Sequence, residues 1–437
     1  MANTRIGRTV SVAGSRRKAT FSAWVKRTGL GESWIARFGG TYSESDFMQI
    51  GFNSADNCFI VGTSSTPRME CTRKFRDTNA WYHYVVAFDT EQSTASNRLK
   101  FYINGELITD YGTATYPTLN QDLHFNNTGS QNNAWLGGRG ESSYEFNGLM
   151  SHVHWIDGTA YDASAFGSTD STTGEWKINT SPSVTYGENG FFVLKDGSSL
   201  TDQSGEGNNF SSLVGTLTKT EDCPSNVFST LDYLQRKTSA LTYSNGNTSV
   251  SFPSAWVFAL SQWGVSSGKY YWEAKCNSGN NANSFYGICA EIVPTGNGFY
   301  NNSQNGAIMY KVGSGETYID GTNNASGYSP SINNTDIVGL ALDLDSGTKT
   351  LKIYKNGVLL SSGGTINLSS HYNDTLVFPC FSGNSSSASC SFDVNFGNGY
   401  VGTTAVSSAG TNASGLGIFE YDVPAGHTAL CTKGLNE

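Results

Sequence analysis

At 437 residues the chain is long enough for two or three domains, and 37% apolar against 14% charged residues describes a globular protein. Its 50 glycines, with abundant Ser, Thr and Asn, suit short strands and tight turns and argue against helices, which draw on Ala, Leu, Glu and Lys. A net charge of −9 without a continuous basic stripe excludes nucleic acid as a partner, and no apolar run reaches the roughly 18 residues that span a bilayer, so no membrane is expected either.

The first 18 residues hold Arg5, Arg8, Arg16, Arg17 and Lys18 and no acid. Such an arm either frays in solvent or seeks an acidic partner surface. No apolar core of a signal peptide follows, which points to synthesis in a cytoplasm. Strand-like runs then recur: 20–27 (TFSAWVKR), 47–52 (FMQIGF) and 81–88 (WYHYVVAF). In 98–108, Leu99, Phe101 and Ile103 share one face, and Asn104-Gly105 supplies the two positive-φ positions of a type I′ hairpin turn. Residues 146–158 read as the closing strand of this block.

Residues 171–235 are rich in Ser, Thr, Gly and Asn and read as a loop-rich connector. A second block repeats the grammar of the first, with strands at 268–275 (GKYYWEAK) and 285–292 (FYGICAEI). Residues 336–360 then give an apolar strand, a polar turn and a strand ending in the hairpin dipeptide Asn356-Gly357. Residues 401–437 read as a tail. The expected fold is all-β, two antiparallel jelly-roll-like sandwiches in tandem, bounded at 1–170, 171–235 (connector), 236–402 and 403–437 (tail). Each block is expected to fold alone, as 1–175 and 236–402. The eight cysteines show no C-x-x-C spacing and are expected to be reduced and buried.

Residues 20–166 resemble the laminin-G/concanavalin-A-like sandwich, on the strings AWVKR, WYHYVVAFD (81–89), KFYING (100–105) and GLMSHVHWIDG (148–158). Residues 236–400 resemble a SPRY domain, on SGKYYWE (267–273), DIVGLALDLD (336–345) and IYKNG (353–357). The pairing, with GENGFFVL (187–194) between the blocks and FEYDVPAGHTALCTK (419–433) after them, resembles virion structural proteins of tailed phages, marine ones in particular, and of some giant viruses. The resemblance implies a non-enzymatic component of a tail fibre, spike or capsid-attached fibre, made in the host cytoplasm and carried in the virion. Its implied partners are other virion proteins and a host glycan or receptor, and its implied state is a homo-oligomer. A purely structural decoration or connector is the alternative, and a carbohydrate-active hydrolase is a third reading.

Catalytic chemistry has thin support. Glu44 and Asp46 would share a strand face as a glucanase acid pair does, but without a third carboxylate. His152 and His154 stand two apart on one strand, as a metal pair could. No cofactor is expected, although some laminin-G-like domains hold calcium at a rim, for which Asp89, Asp110 and Asp157 are the candidates. The binding residues expected from the sequence are Phe299, Tyr300, Tyr318 and Tyr328, aromatic rings set among Asn, Ser and Gly as in adaptable recognition loops.

Overall fold

The computed structural model describes residues 4–40, 46–62, 68–129, 132–138, 144–234, 241–253, 257–278, 284–290, 307–313, 315–319, 322–325, 332–361, 363–369, 376–383 and 390–436. It is an all-β protein in two compact units, Met1–Lys219 and Thr220–Glu437.

Among the described residues of unit 1, two sheets face each other across one core. The eight-stranded sheet runs Tyr111–Thr115, Arg68–Cys71, Cys58–Gly62, Phe47–Phe52, Ser33–Gly39, Asn133–Leu136, Arg5–Thr9, Ser212–Val214. The six-stranded sheet runs Phe191–Val193, Gly148–Asp157, Lys18–Arg27, Trp81–Asp89, Leu99–Ile103, Glu106–Leu107. Period-two alternation places Ile6, Leu136, Ile50, Ile60 and Met69 inward from the first sheet and Phe21, Val25, Val86, Phe101 and Trp155 inward from the second.

The outer face of the six-stranded sheet is also covered. Residues 159–190 lay Phe166, Tyr186, Ala163 and Trp176 over Val85, Ile156 and Phe192. The expected connector is therefore divided: most of it is an integral layer of unit 1, adding a strand to each sheet at Phe191–Val193 and Ser212–Val214. Asp157 anchors this return. Its carboxylate accepts from the backbone N–H of Ser15 (2.8 Å) and Asn189 (3.1 Å) and from the side-chain amides of Asn126 (2.8 Å) and Asn189 (3.1 Å).

The basic arm is likewise part of the fold. Arg5–Thr9 is a sheet strand, Arg5 pairs with Glu145 (3.2 Å), Arg17 with Asp122 (2.8 Å) and Lys18 with Glu91 (2.7 Å). Arg8 donates to Asn189 O (3.1 Å), and Arg16 to Leu123 O (3.0 Å). The arm's charges are spent on its own unit.

In unit 2 one sheet runs Thr242–Ser244, Ser249–Phe252, Cys390–Asn395, Lys269–Ser278, Val338–Asp343, Thr350–Lys355, Val358–Leu359. The facing sheet runs Val257–Leu260, Phe378–Gly383, Ser284–Cys289, Ala307–Lys311, Thr317–Ile319, Thr322–Ala325. Trp272, Tyr286, Ile308, Leu340, Ile353 and Phe392 fill the space between them. The expected tail belongs to this unit. Thr428–Ala429 pairs in parallel with Lys269–Ser278, and Phe419, Val423 and Ala429 cover Tyr271 and Ala341 on the outer face. The buried Glu273 holds the strap: its carboxylate accepts from the N–H groups of Glu420 and Tyr421, both at 2.9 Å, and from Tyr271 Oη at 3.2 Å. Residues 226–230 also belong here, since Phe228 bridges Cys431 and Ser229 N donates to Leu430 O (2.9 Å).

Both units build the expected hairpin in the same way. Asn104 and Gly105 have φ of 48° and 81°, and Asn356 and Gly357 have 48° and 79°. Each Asn side chain accepts from the neighbouring strand's backbone, Asn104 from His83 N (2.7 Å) and Asn356 from Ile337 N (2.9 Å). Each Gly then lies under a covering ring, Trp176 in unit 1 and Tyr421 in unit 2, where a Cβ would collide.

One expectation about cysteine is overturned. Cys58 and Cys71 form a disulfide, on directly opposed positions continuing the register in which Phe59 faces Glu70. The other six cysteines are free thiols.

Candidate functional site: the outer face of the eight-stranded sheet

Residues that face away from the unit 1 core form rows across the sheet. Gly7, Trp135, Arg37, Gln49, Val61 and Arg68 are successive cross-strand neighbours, and Trp34, Gly51, Phe59 and Glu70 make the next row. Gly7 is required by close approach, because a Cβ there would stand 2.6 Å from the Trp135 ring. Arg37 lies over the Phe47 ring at 4.5 Å and beside that of Trp34 at 5.9 Å, and its Nε donates to Gly40 O (3.0 Å).

At the margin of this face Tyr144 stacks on Trp34, with centroids 5.2 Å apart and planes at 20°. Its own carbonyl accepts from Trp34 N (2.8 Å), and the following Glu145 bridges Trp34 and pairs with Arg5. Tyr144 has φ of 59° and is 43% exposed. A left-handed backbone at a bulky residue costs on the order of 1–3 kcal/mol and persists where the surroundings impose it. Here the imposed conformation leaves an aromatic ring partly exposed against Trp34, whose indole donates to the Glu32 carboxylate (3.3 Å).

The residues expected from the sequence fall elsewhere. Phe299, Tyr300 and Tyr328 lie outside the described residues. Tyr318 is corrected: it sits in the strand Thr317–Ile319, is 5% exposed, packs edge-on against Phe285 (5.5 Å) and hydrogen-bonds Glu316 (3.1 Å). It is a packed ring and not a loop platform.

Of the acid pair, Glu44 lies outside the described residues and Asp46 stands 3.8 Å from His124. His154 stacks on Phe192 at 4.0 Å and bonds Tyr186 Oη at 2.9 Å, and His152 sits at a bulge with φ of 47°. Burial holds both imidazoles neutral, His152 down at about 4 and His154 well below the usual histidine range. No group of three metal-ligating side chains gathers among the described residues. Asp110 is engaged by Arg73 (3.1 Å), Asp89 by Gln92 (2.8 Å), and Asp157 by the amides named above.

One Ser–His contact arises that sequence spacing did not reveal. Ser22 Oγ and His83 Nε2 are 2.9 Å apart, both fully buried, with His83 stacked between Trp24 (4.8 Å) and Trp176 (6.0 Å). An indole N–H can only donate, so the 3.0 Å bond from Trp176 Nε1 makes His83 Nδ1 the acceptor. The proton therefore sits on Nε2 and points at Ser22. Such a tautomer cannot take the serine proton, and the pair is structural.

Residues 6–163 match the family model described as the concanavalin A-like lectin/glucanases superfamily, and residues 269–399 match the SPRY domain model. The chain carries a concanavalin A-like domain and a SPRY domain. Solved structures similar to it include the SPRY domain of human HERC1 (19% identity, covering 38% of this chain and 96% of that one, TM-score 0.31). Others are the TRIM65 PSpry domain (16%, 38% and 88%, 0.27) and a heptameric SAP-like pentraxin from Limulus polyphemus (14%, 44% and 90%, 0.29). No curated protein matches the chain by sequence. The candidate face thus belongs to the concanavalin A-like domain.

Proposed function

We propose that the protein is a non-enzymatic virion adhesin, a tail-fibre, spike or capsid-attached component whose concanavalin A-like domain engages a host-surface glycan. The observation that carries the binding role is the Tyr144–Trp34 stack, a rigid ring turned outward at an energetic cost in its own backbone. A pyranose presents apolar C–H faces and a rim of hydroxyls, which suits an aromatic plane flanked by carboxylate acceptors such as Glu32. The virion setting rests on the resemblance of the paired domains and their linking strings to phage structural proteins.

Two measurements test the reading. Binding of the full chain to a glycan array should be lost in Tyr144→Ala and retained in Tyr144→Phe, which keeps the ring. Immunogold labelling of particles should place the chain on an external fibre or spike. Array binding that Tyr144→Ala leaves intact overturns the assigned face. No glycan binding together with particle labelling favours a purely structural decoration.

A further inference from the structure

Unit 2 holds all six free cysteines, and four of them stand in two contacting pairs. The Cys276 and Cys390 side chains are neighbours in one buried cluster, as are those of Cys289 and Cys380 in another. All four are buried. Each pair spans adjacent antiparallel strands. Cys276 faces Phe392, two residues from Cys390, next to a bulge, and Cys289 faces Phe378, two residues from Cys380. The first pair lies in the core between the sheets of unit 2, where Ser284 Oγ also touches Cys390 Sγ (3.1 Å), and the second lies on the outer face of that unit's sheet containing Ser284–Cys289 and Phe378–Gly383.

We propose that Cys276–Cys390 and Cys289–Cys380 are latent disulfides, closed by exchange with a small-molecule disulfide such as oxidised glutathione. One thiol loses its proton and attacks the reagent, forming a mixed disulfide and releasing one glutathione thiolate. The partner thiolate then displaces the second glutathione. The protein pair is oxidised by two electrons and the reagent is reduced to two thiols. Attack requires thiolate, and here burial and thiol–thiol contact hold the Cys380 and Cys390 protons on. Exchange therefore waits for the strands to open locally, so brief exposure leaves the domain reduced and long exposure locks it. Each bridge would close a loop of roughly a hundred residues, the arrangement that most restricts the unfolded chain.

The test incubates the full chain with oxidised glutathione in urea below its unfolding midpoint, alkylates the remaining thiols and maps linked peptides by mass spectrometry. The 276–390 and 289–380 links should appear, faster with more urea, and the SPRY domain should then unfold at higher urea. Cys390→Ser should convert Cys276 into a glutathione adduct and leave the 289–380 link forming. Cys289→Ser gives the reciprocal reading if the first variant folds poorly. Glutathione adducts without internal links, scrambled links such as 276–289, or four alkylated thiols after prolonged exposure would each overturn the proposal.

Discussion

Trp176 donates its indole N–H to Nδ1 of His83 while its ring covers both that imidazole and Gly105 at the hairpin turn. One side chain from the returning segment thus fixes a tautomer, seals a buried ring and caps a turn. Trp176→Phe keeps most of the stacking and removes the donor, leaving His83 Nδ1 unsatisfied. A loss of about 1–3 kcal/mol is expected for unit 1, read from its urea unfolding midpoint.

The same histidine makes unit 1 sensitive to acid. Burial lowers His83 to about 3, while in the unfolded chain it titrates near 6.5. Between those values the unfolded state binds a proton that the folded state does not. The contribution is therefore intact above about 6.5 and is lost progressively as pH falls towards 3, and His152 and His154, lowered likewise, act in the same direction. Urea midpoints of unit 1 should fall over this window, and His83→Phe should flatten the dependence. A midpoint independent of pH in the wild type would show that these rings are not buried neutral.

Reduction of the Cys58–Cys71 bridge should weaken unit 1 and spare unit 2. With the cysteines 13 residues apart, the chain-entropy estimate is about 3 kcal/mol. The paired Cys58→Ser, Cys71→Ser variant, compared with wild type under non-reducing conditions, measures it.

The truncation 236–402 should be insoluble, because it lacks the strap held by Glu273 and the segment that bridges Cys431. Residues 220–437 should fold alone, as should 1–219. Glu273→Gln puts an amide against the donating N–H groups of Glu420 and Tyr421, and limited proteolysis should then cut the strap first. An uncut strap in that variant would show that Phe419 and Val423 hold it unaided.

Much of the fold was legible because its signals are local. Alternation in 81–88 and the Asn-Gly dipeptides needed no knowledge of distant residues. The domain limits were misread where strands have only three residues, as at Phe191–Val193, and where apolar anchors such as Phe419 and Ala429 are separated by Pro and Gly. The candidate face was missed for a different reason. A register shift between Trp34 and Ala36 puts both Ile35 and Ala36 inside, so Trp34 and Arg37 share the outer face although they are three apart. Tyr144, set between masses of Ser, Glu and Gly, gave no strand signal at all. The Cys58–Cys71 bridge depends on strand register, which composition does not carry.

The clasp between residues 227–230 and 430–432 decides how the SPRY domain answers a pull. Val227 and Thr432 exchange hydrogen bonds just inside the Asn226–Lys433 contact, and Ser229 donates to Leu430 further in. Because the two segments are antiparallel, tension applied to the domain through its flanking chain first reaches the bonds that the Asn226 side chain accepts from Lys433 N and Thr432 Oγ1, then the Val227–Thr432 contact, and the inner bonds last. The clasp opens like a zip, one bond at a time, and resists far less than strands sheared along their length. A domain fastened this way yields early and extends under load, while the sheets behind the clasp still hold.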